Sequence, residues 1–307
     1  MTAALVARGI VRGLHVAAAL LIFGSTLCYA SIASIALRQA SSGIIRRVGR
    51  LTSGLIRLSL VTAALAGAIW LVLEAVYITG GDRLADGIAV LGPVLYETNF
   101  GHLLLVRLAL LLLAVVVFGG GASGRRAAVA AGMAGVAVAL QAGLGHGAAM
   151  GGAGGGMLLV SLVFHLLAAG AWLGGLVALL ILVDALPPTK AREAALRFST
   201  LGIICVLALM ATTAVQGWHL VGGIAAWFGS AYGRIALAKL MLFVLLLGFA
   251  AANRVRFTPG LTDADVSGTR LRLHRSILAE TLAGLLAIVL AGILANLPPN
   301  MTMPTDP

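Results

Sequence analysis

The residues best suited to chemistry are histidines. His15, His102, His146, His165 and His219 each fall toward one end of a separate apolar run, whereas His274 lies inside a basic segment. Methionines share the neighbourhood: Met150 and Met157 lie in and beside the Gly-rich stretch after His146, and Met301 and Met303 form an M-x-M pair near the C-terminus. Imidazole with thioether is a ligand set that suits copper, since sulfur favours Cu(I) and nitrogen accepts Cu(I) or Cu(II). Zinc suits it less, because no thiolate and few carboxylates stand on that side to complete a tetrahedral site. A single histidine near a membrane interface is usually a satisfied structural residue, but five from five different runs shift the balance toward a site.

Charge inside apolar runs is the second signal. Arg107 and Lys239 lie about two turns into their runs, where each costs roughly 2.5–3.5 kcal/mol on insertion scales. They either snorkel to headgroups or face the bundle and pair with a carboxylate or a bound anionic group. Glu74 is the candidate partner. Trp70, Trp172 and Trp218 serve either as interfacial belt residues or as walls of the histidine pocket. Cys28 and Cys205 fall in apolar runs and read as packing residues. No Ser-centred elbow, phosphate loop, paired-carboxylate site or H-E-x-x-H signature occurs, so a non-enzymatic protein is expected.

The elements that must hold these residues follow from composition. Of 307 residues 61% are hydrophobic and 10% charged, with a mean hydropathy of +1.07. A soluble domain carries roughly 25% charged residues, so the lipid bilayer must be the main solvent. The net charge of +11 would suggest a nucleic-acid partner in a soluble protein. Here the bases cluster between apolar runs, as in cytoplasmic loops facing anionic lipid, and no nucleic acid is implied. Runs able to cross about 30 Å of hydrocarbon, roughly 20 residues each, occur eight times. They cover 10–37, 54–79, 100–118, 127–147, 157–183, 197–221, 232–252 and 273–296. Their continuity predicts helices rather than alternating barrel strands, hence an all-α integral membrane protein. The first run is too long for a signal-peptide core and reads as a transmembrane helix.

Loop charge predicts orientation. Arg38, Arg46, Arg47 and Arg50 fill the first connection, Arg125 and Arg126 the third, and Lys190, Arg192 and Arg197 the fifth; the seventh holds Arg254, Arg256, Arg270, Arg272 and Arg275. Alternate connections hold almost no base, so both termini are expected outside, against the minor opposition of Arg8 and Arg12. An internal repeat runs beneath this. His15 leads to Gly24 and His165 to Gly174 at the same nine-residue spacing, and Phe100-Gly101…Arg107 matches Tyr232-Gly233…Lys239. Two parallel four-helix repeats are expected, residues 1–147 and 148–307, related by an axis along the membrane normal.

Several stretches together resemble the bacterial copper-resistance protein D family. They are Gly145-His146-Gly-Ala-Ala, His165-Leu-Leu-Ala-Ala-Gly-Ala-Trp172-Leu-Gly-Gly-Leu, Tyr232-Gly-Arg-Ile-Ala-Leu-Ala-Lys239-Leu, Asn253-Arg254-Val-Arg-Phe-Thr-Pro259 and Leu273-His-Arg275-Ser-Ile-Leu-Ala-Glu280. The resemblance is clearest over about 140–300. It implies a multi-pass protein of the bacterial inner membrane that handles copper, generally by uptake from the periplasm. It also carries over His146 and His165, and less securely His15, as copper ligands. His102 aligns with Arg234 in the second half, so the repeat assigns it no role.

Three functions are compatible with these residues: a copper permease with a periplasm-facing His/Met site; a haem b or quinone-linked electron carrier, with Arg107 or Lys239 pairing to a propionate; and a membrane partner that passes copper to an oxidase or receives it from a periplasmic carrier. The residues do not specify oligomeric state.

Overall fold

The computed structural model describes residues 2–80, 83–119, 123–145, 152–262 and 265–299. His146, Met150, Met301 and Met303 lie outside them. Eight helices are long and apolar enough to cross a membrane: α1 Ala3–Ala36, α2 Ser42–Ile78, α3 Asn99–Phe118, α4 Gly124–Leu144, α5 Gly154–Ala185, α6 Pro188–Leu220, α7 Ala231–Thr262 and α8 Val266–Leu294. No strand occurs among the described residues. Short helices Leu84–Ala89 and Leu91–Glu97 join α2 to α3, and Ile224–Gly229 joins α6 to α7.

Several helices outrun their apolar runs, mostly at the basic ends. α2 begins at Ser42 rather than near 54 and carries Arg46, Arg47 and Arg50 on its first turns; α6, α7 and α8 extend similarly. Hydropathy registers only the part of a helix that suits hydrocarbon. The backbone ladder continues wherever side chains reach water or headgroups, because a helix satisfies its own N–H and C=O groups. Ser41, Thr98, Ser123 and Ser230 start α2, α3, α4 and α7 as side-chain N-caps. Gly119, at φ 60°, ends α3 in the left-handed region that glycine enters without strain.

α1 and α5 are the most buried spans. α1 packs on α2, α4, α5 and α8, and α5 on α6 and α8 as well. Their crossing depends on missing side chains. A Cβ on Gly24 would stand 2.1 Å from the Gly170 carbonyl oxygen, and one on Gly174 would stand 2.0 Å from that of Leu20. Between lipid-soluble helices, attraction comes mainly from close van der Waals packing, which small residues permit. α5 widens into a π-helical turn at Gly170–Gly174, and α7 does so at Asn253–Phe257, where Thr258 N–H donates to the Asn253 carbonyl at 2.9 Å.

Arg8 and Arg12 are buried rather than displayed as loop charge. Arg12 donates through Nη2 to the Leu144 carbonyl at 2.9 Å and through Nη1 to that of Ala295 at 3.5 Å. It thereby satisfies carbonyls at the C-terminal ends of α4 and α8, where a cation is favoured. Arg8 lies 3.8 Å from Glu74 and 3.7 Å over the Tyr77 ring.

Candidate functional site

The histidines of α1 and α5 share one way of being held. His15 is fully buried, with Nδ1 2.8 Å from the Ala63 carbonyl on α2. A carbonyl only accepts, so Nδ1 carries the proton and Nε2 keeps its lone pair. His165 places Nδ1 2.9 Å from Thr212 Oγ1 on α6. That hydroxyl spends its single proton on the Ala208 carbonyl at 2.7 Å, so it accepts from Nδ1–H and His165 Nε2 is again the free acceptor. This is how a metal-ligating histidine is ordinarily oriented: one nitrogen is tied to the protein and the other is left basic.

The surroundings of the two rings differ. Around His15 lie Trp70, with ring centroids 5.8 Å apart, and Phe100 beyond it. Arg107 is fully buried as well; its Nε donates to the Ala137 carbonyl at 3.0 Å. His15 Nε2, Trp70 Nε1 and both terminal nitrogens of Arg107 are buried with no hydrogen-bond partner. His165 instead borders a cavity of about 260 Å³, together with Arg12, Gln141, Trp172, Gln216 and Lys239. Gly13, Val16 and Leu20 supply the α1 wall, which is the side of α1 turned away from His15. No acidic side chain lines this cavity, and Lys239 has no ion-pair partner among the described residues.

Among the described residues, therefore, the outer histidines do not gather into one cluster. His102 is exposed, its Nε2 donating to the Tyr96 carbonyl at 2.8 Å. His219 is half-buried at the end of α6 and does not border the cavity. Met157 is exposed, and so is Trp218 at 82%, away from the cavity wall that Trp172 forms. Glu74 partners Arg8 rather than Arg107 or Lys239. No group of three His, Cys, Asp or Glu side chains able to hold a metal occurs among the described residues. A second cavity of about 300 Å³, lined by Trp172, Phe198, Asn253, Arg254 and Glu280, lies toward the basic connections. Sequence reasoning passed over Asn253 and Glu280 as site residues. A carboxylate two turns inside an apolar run was the available signal.

Two family models match the chain. One described as "Copper resistance protein D-like, N-terminal domain" matches residues 1–157, and another, "Copper resistance protein D", matches residues 192–294. The chain belongs to the copper resistance protein D family. It is 27% identical over 250 residues to Copper resistance protein D of Pseudomonas syringae pv. tomato, covering 77% of this chain and 81% of that protein. It is also 28% identical over 138 residues to Copper transport protein CutJ of Bacillus subtilis (strain 168), a match covering 44% of this chain and 24% of that longer protein. No solved structure matches. Family and helices together make this a multi-pass bacterial membrane protein.

Proposed function

We propose that the chain binds copper from the periplasm and conducts it inward, with His165 as the ligand that receives it. The observation that carries this reading is the Thr212-anchored imidazole of His165, whose free Nε2 belongs to a ring bordering a cavity. Gly145, next in sequence to His146, borders the same cavity, which supports His146 as a second ligand. His15, held the same way on α1, is assigned a supporting role near Arg107 rather than a place in this cavity. Met150, Met157, Met301 and Met303 act as outer, weaker thioether contacts on the route in.

The supporting orientation has both termini and the His165 cavity on the periplasmic side. Alternating basic connections favour it, and the burial of Arg8 and Arg12 inside the bundle removes the charges that opposed it. The two halves, 1–147 and 148–307, are read as parallel repeats: His15 to Ala63 and His165 to Thr212 are matching links from the first helix of each half to the second. Copper is cargo here, and the protein performs no covalent chemistry on it. Haem b is less well served, because His165 is the one histidine among the described residues that borders the cavity, and two axial imidazoles need a shared one. Delivery to or from a periplasmic carrier is compatible with the short outer helices, which expose Leu84, Ile88 and Tyr96.

The test is copper titration of the purified chain, with copper accumulation in cells expressing His165→Ala, His146→Ala or His15→Ala. Loss of binding and accumulation in the first two, with a smaller effect in the third, is expected. Binding unchanged in His165→Ala overturns the assignment.

A further inference from the structure

We propose that Glu280 and Asn253 form a second cation-binding station, beyond Trp172 from the His165 cavity and toward the basic connections. The proposal rests on the transport reading and supplies the inward half of the route that the histidines leave open.

Glu280 is 1% exposed on α8, within an apolar run. An intramembrane carboxyl that closes no ion pair is costly unless a cation or proton accompanies it. Among the described residues Glu280 has no salt-bridge partner. Its Oε2 accepts from Asn253 Nδ2 at 2.8 Å, which turns the amide so that Asn253 Oδ1 is left without a partner. Glu280 Oε1 is likewise buried with no well-formed hydrogen bond, although the Trp172 indole stands close to the carboxyl. Two oxygen acceptors on two helices thus stand together, and both residues line the cavity of about 300 Å³. The cation in that lining, Arg254, donates through Nη1 to Ser199 Oγ at 2.8 Å and forms no ion pair with Glu280.

Trp172 borders both this cavity and the one beside His165, and among the described residues it is the side chain common to the two linings. It sits on the π-helical turn of α5, and Asn253 opens the π-helical turn of α7. Such turns have one residue more than the regular ladder accommodates and are frequent at functional sites. The arrangement is a nitrogen site, an aromatic partition and an oxygen site in series. Carboxylate and amide oxygens hold a soft Cu(I) weakly, which suits a place of release rather than storage. The station's occupant is a cation: the metal in transit, or a proton exchanged for it.

The experiment uses the full chain, wild type and Glu280→Gln, in proteoliposomes and in detergent. Copper entry into vesicles is expected to fall by an order of magnitude in Glu280→Gln and to be partly retained in Glu280→Asp. Copper binding at the His165 cavity should be unchanged in both. Undiminished entry in Glu280→Gln overturns the proposal, as does loss of outer binding in parallel with entry, because that reveals a merely structural carboxyl. Infrared difference spectra provide a readout that does not depend on transport. A carboxyl band absent from Glu280→Gln should change on copper addition if metal visits the station, or with pH alone if a proton does. A band that responds to neither overturns the proposal. Failure of the transport reading shows separately, as wild-type vesicles that take up no copper.

Discussion

His165 and Thr212 are joined through Nδ1 and Oγ1 at 2.9 Å, and the donor in that bond is set by a third group, the Ala208 carbonyl. The hydroxyl of α6 thereby decides which nitrogen of the α5 imidazole is free. The ring can then meet a metal without first paying for reorientation or a tautomer change.

Removing that hydroxyl is the direct test. Thr212→Val keeps the side-chain shape, and about a 10–100-fold loss of copper affinity is expected, the usual cost of losing a partner behind a ligating histidine. Thr212→Ser should retain most of the affinity. Competition titration against a copper chelator measures both, and equal affinity in Thr212→Val defeats the orienting role.

Lys239 makes an opposite prediction. It lines the cavity with His165 and Arg12, and among the described residues no acidic side chain lines that cavity and none pairs with Lys239. A fixed positive charge opposes a copper ion held nearby, so Lys239→Met should tighten copper binding and make it less sensitive to salt. Weaker binding in the variant would mean instead that Lys239 holds an anion that accompanies the metal.

The α1–α5 crossing has no room for a methyl group. Gly24→Ala and Gly174→Ala each force a backbone carbonyl away, with an expected loss of about 1–3 kcal/mol. Thermal unfolding in detergent reads this as a lowered Tm. Gly132→Ala, where nothing stands within 4 Å, is the control and should leave the Tm unchanged.

Arg107 is fully buried, and one of its three guanidinium nitrogens is hydrogen-bonded. A buried charge without a counter-ion is commonly replaced by an apolar side chain of similar size at no cost. Arg107→Met should therefore fold with an equal or higher Tm, measured by the same unfolding assay. A marked fall would show that the arginine's link to α4 is worth more than its desolvation.

Much of this was legible in the chain itself. Transfer into hydrocarbon is a local property, so eight apolar runs announced eight helices, and the Arg-rich connections marked their common side. The matched placement of His15 and His165 was visible as spacing. What spacing did not reveal was which way each ring points. On α1, His15 faces Ala63 and Trp70, while Gly13, Val16 and Leu20 face the cavity, and that division depends on how the helix is rotated against α2, α5 and α8. Grouping five histidines at one end of their runs treated them as neighbours, yet His102 is exposed against the Tyr96 carbonyl while His165 borders the cavity.

The sequence by itself determined the solvent and the number of spans, because these follow from composition and from periodicity along the chain. Only the tertiary structure decided that Arg8 and Arg12 belong inside the bundle. It likewise decided that Thr212 orients His165 and that Trp172 stands between two cavities. Each of these relations joins residues far apart in sequence, and each is set by the phase and closeness of helix packing, which glycines such as Gly24 and Gly174 permit but no single apolar run encodes.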